Sequence, residues 1–353
     1  MSLKSVNINS FRSLRNLQIK DLKLVNLLIG KNSCGKTSVL EALSLLIGAN
    51  NPTLPIDIQH LRQMSVHSGN DLKYLFNDFN ISNTIDINAE TANNKKMSLE
   101  ISPLVGLFEV NNSFNNGENK DIFPQPSTTE VRNNDVMKGL HYKFTGVSGK
   151  SFDFDFNLAS GRLPTNTPPP EVLGAYITTR NMSSMWHAVD RSIMNKSENE
   201  IVDVLKEISD DIIGIKMGAN NSVYLDVKGK KELSPINVMG DGIVKVVSIL
   251  ATLRLMKNGI LLIDEIENGL YFSSLKLLWK AIFKACQLYN VQILATTHSY
   301  ECIKSFYDEY DSNKELGDEI SLIRLDKKNN EFRVVSYDAE NIKTAMENEM
   351  EVR

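Results

Sequence analysis

The segment Gly30-Lys31-Asn32-Ser33-Cys34-Gly35-Lys36-Thr37 sets two glycines five positions apart and follows the second with a lysine and a hydroxyl. Glycines let successive backbone N–H groups turn toward one point, and a helix start behind them adds positive potential. A lysine brings a cation to that point, and a threonine hydroxyl is a hard oxygen ligand. The set suits the triphosphate of ATP with Mg²⁺: Lys36 would reach the β- and γ-phosphates, Thr37 would hold the metal, and Ser38 would carry the cradle into the next element. Cys34 stands at the helix start, where a thiol pKa tends to fall. The plainer account of Cys34 is filler at a variable position.

Three further groups bear chemistry. Ile260-Leu261-Leu262-Ile263 feeds directly into Asp264-Glu265. A buried parallel strand ending in a carboxylate sets it at the sheet edge where a nucleotide and its metal would lie. Asp264 reads as the metal-side ligand and Glu265 as the general base that orients water. Val291 to Ser299 is a strand running out into His298, which can contact the terminal phosphate or the attacking water and so sense its presence. Gly240-Asp241-Gly242 precedes a helical stretch, and alone would be an ordinary turn and cap.

The elements that position these groups follow from hydrophobic spacing. Lys4 to Ser10 reads as a strand, followed by a longer β-prone run ending at Ile29, then a helix over 38–47 closed by Gly48. Between about 50 and 180 the pattern alternates with period two, as in Thr84 to Asn88, Ser98 to Ile101 and Phe152 to Phe156, which predicts half-buried antiparallel strands. Asparagine-rich Asn111 to Gly117 and Pro168-Pro169-Pro170 predict loops. Residues 181–216 read as helical, with a strand at Ser222 to Val227. The last third predicts helix 242–257, strand 259–264, helix 273–289 and strand 291–297, hence a mostly parallel sheet. The expected division is 1–180, an N-terminal lobe with the phosphate loop and a β-rich insertion; 181–235, a helical insertion; and 236–353, a C-terminal lobe.

A chain of 353 residues, 42% hydrophobic and 23% charged, has the composition of an ordinary globular protein. No stretch approaches the roughly 20 apolar residues of a membrane span, and the N-terminus lacks a signal-type core. The expectation is a cytoplasmic protein with no membrane partner. Three cysteines, far apart in sequence, give neither a disulfide framework nor a Cys-x-x-Cys site. The net charge of -4 hides an uneven spread: residues 1–36 carry seven basic side chains against Asp21, and residues 301–353 carry 14 acidic and 8 basic.

In order, the phosphate loop, the β-rich stretch, the glycine-flanked helix, Leu-Leu-Ile-Asp-Glu and Thr-Thr-His-Ser resemble the ABC-type ATPase superfamily. The transport branch resembles Asp-Glu-Pro-Thr after its carboxylates, and this chain instead reads Asp264-Glu265-Ile266-Glu267-Asn268-Gly269-Leu270-Tyr271. Asn9-Ser10-Phe11-Arg12-Ser13-Leu14-Arg15-Asn16-Leu17 and Met239-Gly240-Asp241-Gly242 are similar to the RecF and SMC-like branch, nearest to OLD-type (overcoming-lysogenisation-defect) ATPases of phage defence. The resemblance covers residues 1–48 and about 172–353. It implies an α/β P-loop head with a mostly parallel core sheet, an antiparallel β lobe and a helical insertion.

The resemblance also implies a homodimer or larger oligomer tightened by ATP, in which Gly240, Asp241 and Gly242 complete the partner's site. Tyr271 stands where the family often has histidine. No long coiled coil interrupts the chain, and no nuclease segment is expected after His298, only a hairpin over Ile320 to Val335 and a short acidic helix. Gln59 and Gln63 are candidates for the metal-contacting glutamine loop, against ordinary surface glutamines. Arg180 is a candidate for nucleotide or partner contact. The expected function is an ATP-hydrolysing regulatory subunit controlling a separate nuclease or toxin in antiphage defence. The alternative is a RecF-like DNA-binding ATPase of repair or recombination.

Overall fold

The computed structural model describes residues 1–106, 136–182, 186–219, 222–312, 317–329, 331–338, 340–342 and 344. Strands β1 (Leu3–Asn9), β2 (Leu17–Ile19) and β3 (Val25–Ile29) lead to helices α1 (Lys36–Ile47) and α2 (Leu54–Leu61). Four strands follow: β4 (Ile85–Thr91), β5 (Lys96–Gly106), β6 (Val136–Thr145) and β7 (Ser151–Asn157). After β8 (Gly174–Ile177) come α3 (Trp186–Met194), α4 (Asn199–Ile208), β9 (Ile212–Met217), β10 (Val223–Val227) and β11 (Ser234–Pro235). The rest alternates as α5 (Asp241–Leu255), β12 (Ile260–Ile263), α6 (Phe272–Tyr289), β13 (Gln292–Thr296), α7 (Tyr300–Ser312), β14 (Ile320–Lys328) and β15 (Glu331–Tyr337).

The strands form three sheets. The core sheet runs β15-β14-β3-β13-β12-β8, all parallel except β15. Strands β3, β12 and β13 are buried at every residue, which is why they read as unbroken apolar runs rather than alternating ones. Side chains on the two faces of this sheet enter different cores. Val25, Leu27 and Ile29 pack with α3 to α7, and Leu28 packs on the opposite side with α1. That second core is closed by the antiparallel sheet β2-β1-β4-β5-β6-β7, so α1 is held between two sheets. A small antiparallel sheet, β11-β10-β9, packs on the helical side.

Most expected elements are present, and the differences have physical reasons. The run from about 11 to 29 is two strands in two sheets: β2 pairs with β1, and β3 sits between β13 and β14. Residues 212–216, read as helical, belong to β9, where Ile212 and Ile215 are buried and the backbone pairs with β10 from Lys216↔Tyr224 to Ile212↔Val227. A β-branched run after Asp210-Asp211 obeys the ladder it can join rather than the helix before it. Helices α2 and α7 and strand β6 were not anticipated. The expected loop Asn111 to Gly117 and most of the expected acidic helix after the hairpin lie outside the described residues.

Candidate functional site

A cavity of about 670 Å³ opens above the carboxyl ends of the parallel strands. It is walled by Asn32 to Ser38 of the phosphate loop, by Glu265, Thr296 and His298 from the neighbouring strand ends, by Arg12, Ser13 and Arg62, and by Lys327 of the C-terminal hairpin.

The loop leaves β3 at Gly30, whose φ of 137° only glycine adopts freely, and a Cβ there would stand 2.2 Å from the Leu325 carbonyl of β14. Gly35, with φ of 97°, is the N-cap of α1. That helix has no side-chain cap and no acidic residue in its first turn, so its positive end faces the loop unopposed. Lys36 Nζ donates to the Gly30 carbonyl at 2.6 Å and the Lys31 carbonyl at 3.1 Å, folding its charge across the loop.

Thr37 joins a second cluster, of oxygens. Its Oγ1 donates to Asp264 Oδ1 at 3.1 Å, and Thr296 Oγ1 donates to the same oxygen at 2.7 Å. Burial raises the Asp264 pKa, and the two hydroxyl hydrogen bonds oppose the rise. Hard oxygens converging beside a phosphate loop are the donor set that Mg²⁺ takes, so the residues present fit that ion through Thr37 and Asp264.

Glu265 has a left-handed backbone, φ 48°, uncommon for a residue with a side chain. The turn is fixed from several sides. The Glu265 N–H donates to Thr296 Oγ1 at 2.8 Å, its carbonyl accepts from the Asn268 N–H at 3.0 Å and from Lys245 Nζ, and its carboxylate accepts from Asn268 Nδ2. His298, with a half-exposed side chain, is anchored by Glu267: Oε1 of that buried glutamate accepts the His298 backbone N–H at 2.9 Å and lies 2.9 Å from Nδ1. With Nδ1 engaged, Nε2 is the nitrogen left for a phosphate oxygen or water.

The structure thus brings Asn32, Ser33, Cys34, Gly35, Lys36, Thr37, Ser38, Glu265 and His298 to one cavity, with Gly30, Lys31 and Asp264 touching its lining. It does not bring Gly240, Asp241 and Gly242 there. Gly240 and Asp241 are exposed at the N-terminus of α5, and Gly242 packs on the turn after Glu265, where an added Cβ would stand 2.2 Å from the Gly269 carbonyl.

Several expectations are corrected. The Cys34 thiol is buried, and burial raises its pKa despite the opposing Lys36 charge, so the helix start does not make it a ready thiolate. Gln59 is fully buried, accepts from Arg12 Nη2 at 3.2 Å and donates to the Asp71 carbonyl at 3.2 Å; it is neither a surface glutamine nor in the cavity wall. Gln63, by contrast, is exposed and outside that wall, as an ordinary surface glutamine would be. Of the two roles expected of Arg180, the nucleotide contact is not seen within one chain: it bonds the Leu61 carbonyl and is not among the cavity residues.

Arg62, Glu41, Thr296, Glu267, Lys245 and Lys327 belong to the site or its support and were not singled out from sequence. Glu41 holds Arg12 Nε at 2.7 Å and Arg62 Nε at 2.7 Å. Glu41 and Lys245 had a usable signal: each is a lone charge inside an apolar helical run.

A mostly parallel sheet whose strand ends carry a phosphate loop, a carboxylate pair and a histidine, with an antiparallel sheet clamped over the first helix, defines a P-loop ATPase head of the ABC and SMC type. The comparisons agree with that class. Residues 1–142 match the family described as "AAA ATPase domain", and residues 179–303 match "AAA domain, putative AbiEii toxin, Type IV TA system". A protein of Helicobacter pylori described as an ATP/GTP phosphatase is 25% identical over 368 residues, covering 98% of each chain. Among solved structures, an SMC head bound to the C-winged helix domain of ScpA superposes with a TM-score of 0.55 at 11% identity, over 98% of this chain and 100% of that one. The Smc head with an extended coiled coil, bound to the C-terminal domain of ScpA derived from Pyrococcus furiosus, gives 0.50 at 10% identity over 98% and 99%. Among the described residues no helix is long and apolar enough to cross a membrane.

Proposed function

We propose that this chain is an ATP-hydrolysing regulatory subunit that dimerises through its nucleotide sites and controls a separate effector, a nuclease or toxin, in cytoplasmic antiphage defence. The observation that carries the reading is the unequal placement of the two halves of the site. The phosphate loop, Glu265 and His298 line one cavity with Asp264 touching its lining, and Gly240 and Asp241 stand exposed at an uncapped helix N-terminus outside that lining. Exposed Val238, Tyr271 and Phe272 flank that terminus in sequence or through the Gly242–Gly269 contact, an apolar surface suited to a second copy of the chain.

In this reading Lys36 and the loop N–H groups hold the β- and γ-phosphates. Mg²⁺, when bound by Thr37 and Asp264, supplies charge neutralisation on those phosphates. Glu265, its carboxylate steadied by Asn268, orients and deprotonates the attacking water. His298 presents Nε2 to the terminal phosphate. Gly240 to Gly242 of a partner would meet the same phosphate through the N-terminus of α5. Support for the wider role comes from the toxin–antitoxin description of the family matched by residues 179–303, and support for hydrolysis from the phosphatase description of the Helicobacter pylori protein.

The test is to size Lys36→Ala and Glu265→Gln with and without ATP. Glu265→Gln is expected to hold an ATP-bound dimer, and Lys36→Ala to bind no nucleotide and stay unchanged. A size indifferent to ATP in both variants refutes the switching model. Purifying the chain from its native host with whatever accompanies it identifies the effector, and strong salt-sensitive DNA binding by the isolated chain would turn the reading toward repair.

A further inference from the structure

Helix α5 is apolar along most of its length, and Lys245 interrupts it with a side chain that has no solvent exposure. Lysine is almost never fully buried unless its ammonium has partners. Here Nζ donates to the backbone carbonyl of Glu265, the residue read above as the general base. The Asn268 N–H donates to the same oxygen at 3.0 Å, so two donors close the turn that begins at Asp264.

Two independent features of that turn call for such a tie. Glu265 holds a φ of 48°, a conformation that a side-chain-bearing residue keeps only when its surroundings over-determine it. Glu267 is buried, uses Oε1 for His298, and has no hydrogen-bond partner at Oε2 among the described residues. Lys245 is the buried cation that faces Glu267, Glu265 and Asp264 together. The helix that carries Lys245 is also seated on the far end of the turn, through the backbone contact of Gly242 with Gly269.

We propose that Lys245 is a positioning residue for hydrolysis: it ties the first turns of α5, whose N-terminus bears Gly240 and Asp241, to the backbone of Glu265, so that Glu265 is held over the cavity only while α5 is seated. The proposal rests on the reading of Glu265 as the general base. It makes the turn from 264 to 270 the place where displacement of the α5 N-terminus reaches the reacting water. It also explains why one lysine is kept in a helix otherwise made for packing.

The experiment compares Lys245→Met and Lys245→Arg with the wild-type full-length chain, reading ATP affinity, kcat and KM, and amide exchange without nucleotide. Lys245→Met is expected to lower kcat by at least about tenfold while KM and ATP affinity stay within about twofold. Amides of 264–270 should exchange at least about tenfold faster, with the loop 30–37 unchanged. Lys245→Arg, which keeps a charged donor, should recover most of both effects. Lys245→Gln, a donor without charge, supplies the comparison should methionine at 245 fail to fold. Wild-type exchange and kcat in the Met variant overturn the proposal, as does a uniform loss of protection across both segments, which would mark a packing residue. A wild-type chain that hydrolyses no ATP defeats the general-base reading instead, and the exchange comparison still decides whether Lys245 holds the turn.

Discussion

Removing Glu41 should destabilise the chain far more than removing Arg62 from the cavity rim. Glu41 lies on α1 with only 2% of its side chain exposed, and it serves two cations at once. Arg62 approaches through Nε at 2.7 Å and Nη2 at 3.1 Å, and Arg12 through Nε at 2.7 Å. Arg12 is 11% exposed and Arg62 36%. Glu41→Ala therefore leaves a buried guanidinium with no anion, and a second guanidinium repelling it. Losing one partner of a buried pair costs about 3–5 kcal/mol, whereas the solvent-screened Arg62 contact is worth less than about 1 kcal/mol. For a chain of 353 residues unfolding as one unit, the unfolding entropy is roughly 0.7 kcal/mol per kelvin, so Tm should fall by about 4–7 °C.

Differential scanning calorimetry on Glu41→Ala, Glu41→Gln and Arg62→Ala provides the check. The glutamine variant keeps acceptor geometry without charge and should fall between the other two. Saturating ATP should restore part of the loss in Glu41→Ala, because Arg12 and Arg62 line the cavity and phosphate oxygens can replace the missing carboxylate. Equal shifts for Arg62→Ala and Glu41→Ala would refute the reasoning, since burial would then not decide the cost. So would a Glu41→Ala protein that melts within about 1 °C of wild type.

Burial holds the Lys245 pKa down to about 8, against the opposing pull of Glu267, Glu265 and Asp264, with Cys302 also facing the ammonium and His298 reaching it through Glu267. Between that value and the unfolded 10.5 the unfolded chain binds more protons, so wild-type stability should rise relative to Lys245→Met by roughly 3 kcal/mol as pH climbs through this window. Paired denaturant titrations read the difference, and a flat curve from pH 7 to 10.5 would contradict it. Cys34, buried with a raised pKa, should react with iodoacetamide at pH 7 at least about tenfold more slowly than an unfolded cysteine. Labelling as fast as in denaturant would show that the loop opens freely.

How much of this site could be read from sequence follows from how each residue reaches it. The phosphate loop is contiguous, and its glycines, lysine and threonine act within one strand-to-helix turn, so spacing alone specifies their joint use. Asp264, Glu265 and His298 each follow an apolar run, and a parallel sheet aligns the ends of its buried strands. Knowing that the strands are parallel is therefore enough to gather those side chains at one edge. Lys327 and Arg62 come from elements whose position depends on a hairpin and a helix packing against α1, and no local pattern encodes that packing.

Glu41 and Lys245 are a different case, because hydrophobic periodicity treats a single charge in an apolar helix as noise. In both places the charge was the informative residue, since burial of an ion demands a partner from elsewhere in the fold. Glu41 pairs with two arginines from other elements, and Lys245 bonds the backbone of the carboxylate pair. Beta structure failed for a related reason. The ladder that makes 212–217 a strand is supplied by residues 223–227, so the preference of the segment for strand is decided by a neighbour rather than by its own spacing. Under the proposed function the same dependence on a neighbour would govern Gly240 and Asp241, which are exposed on this chain and would gain a use against a second phosphate site.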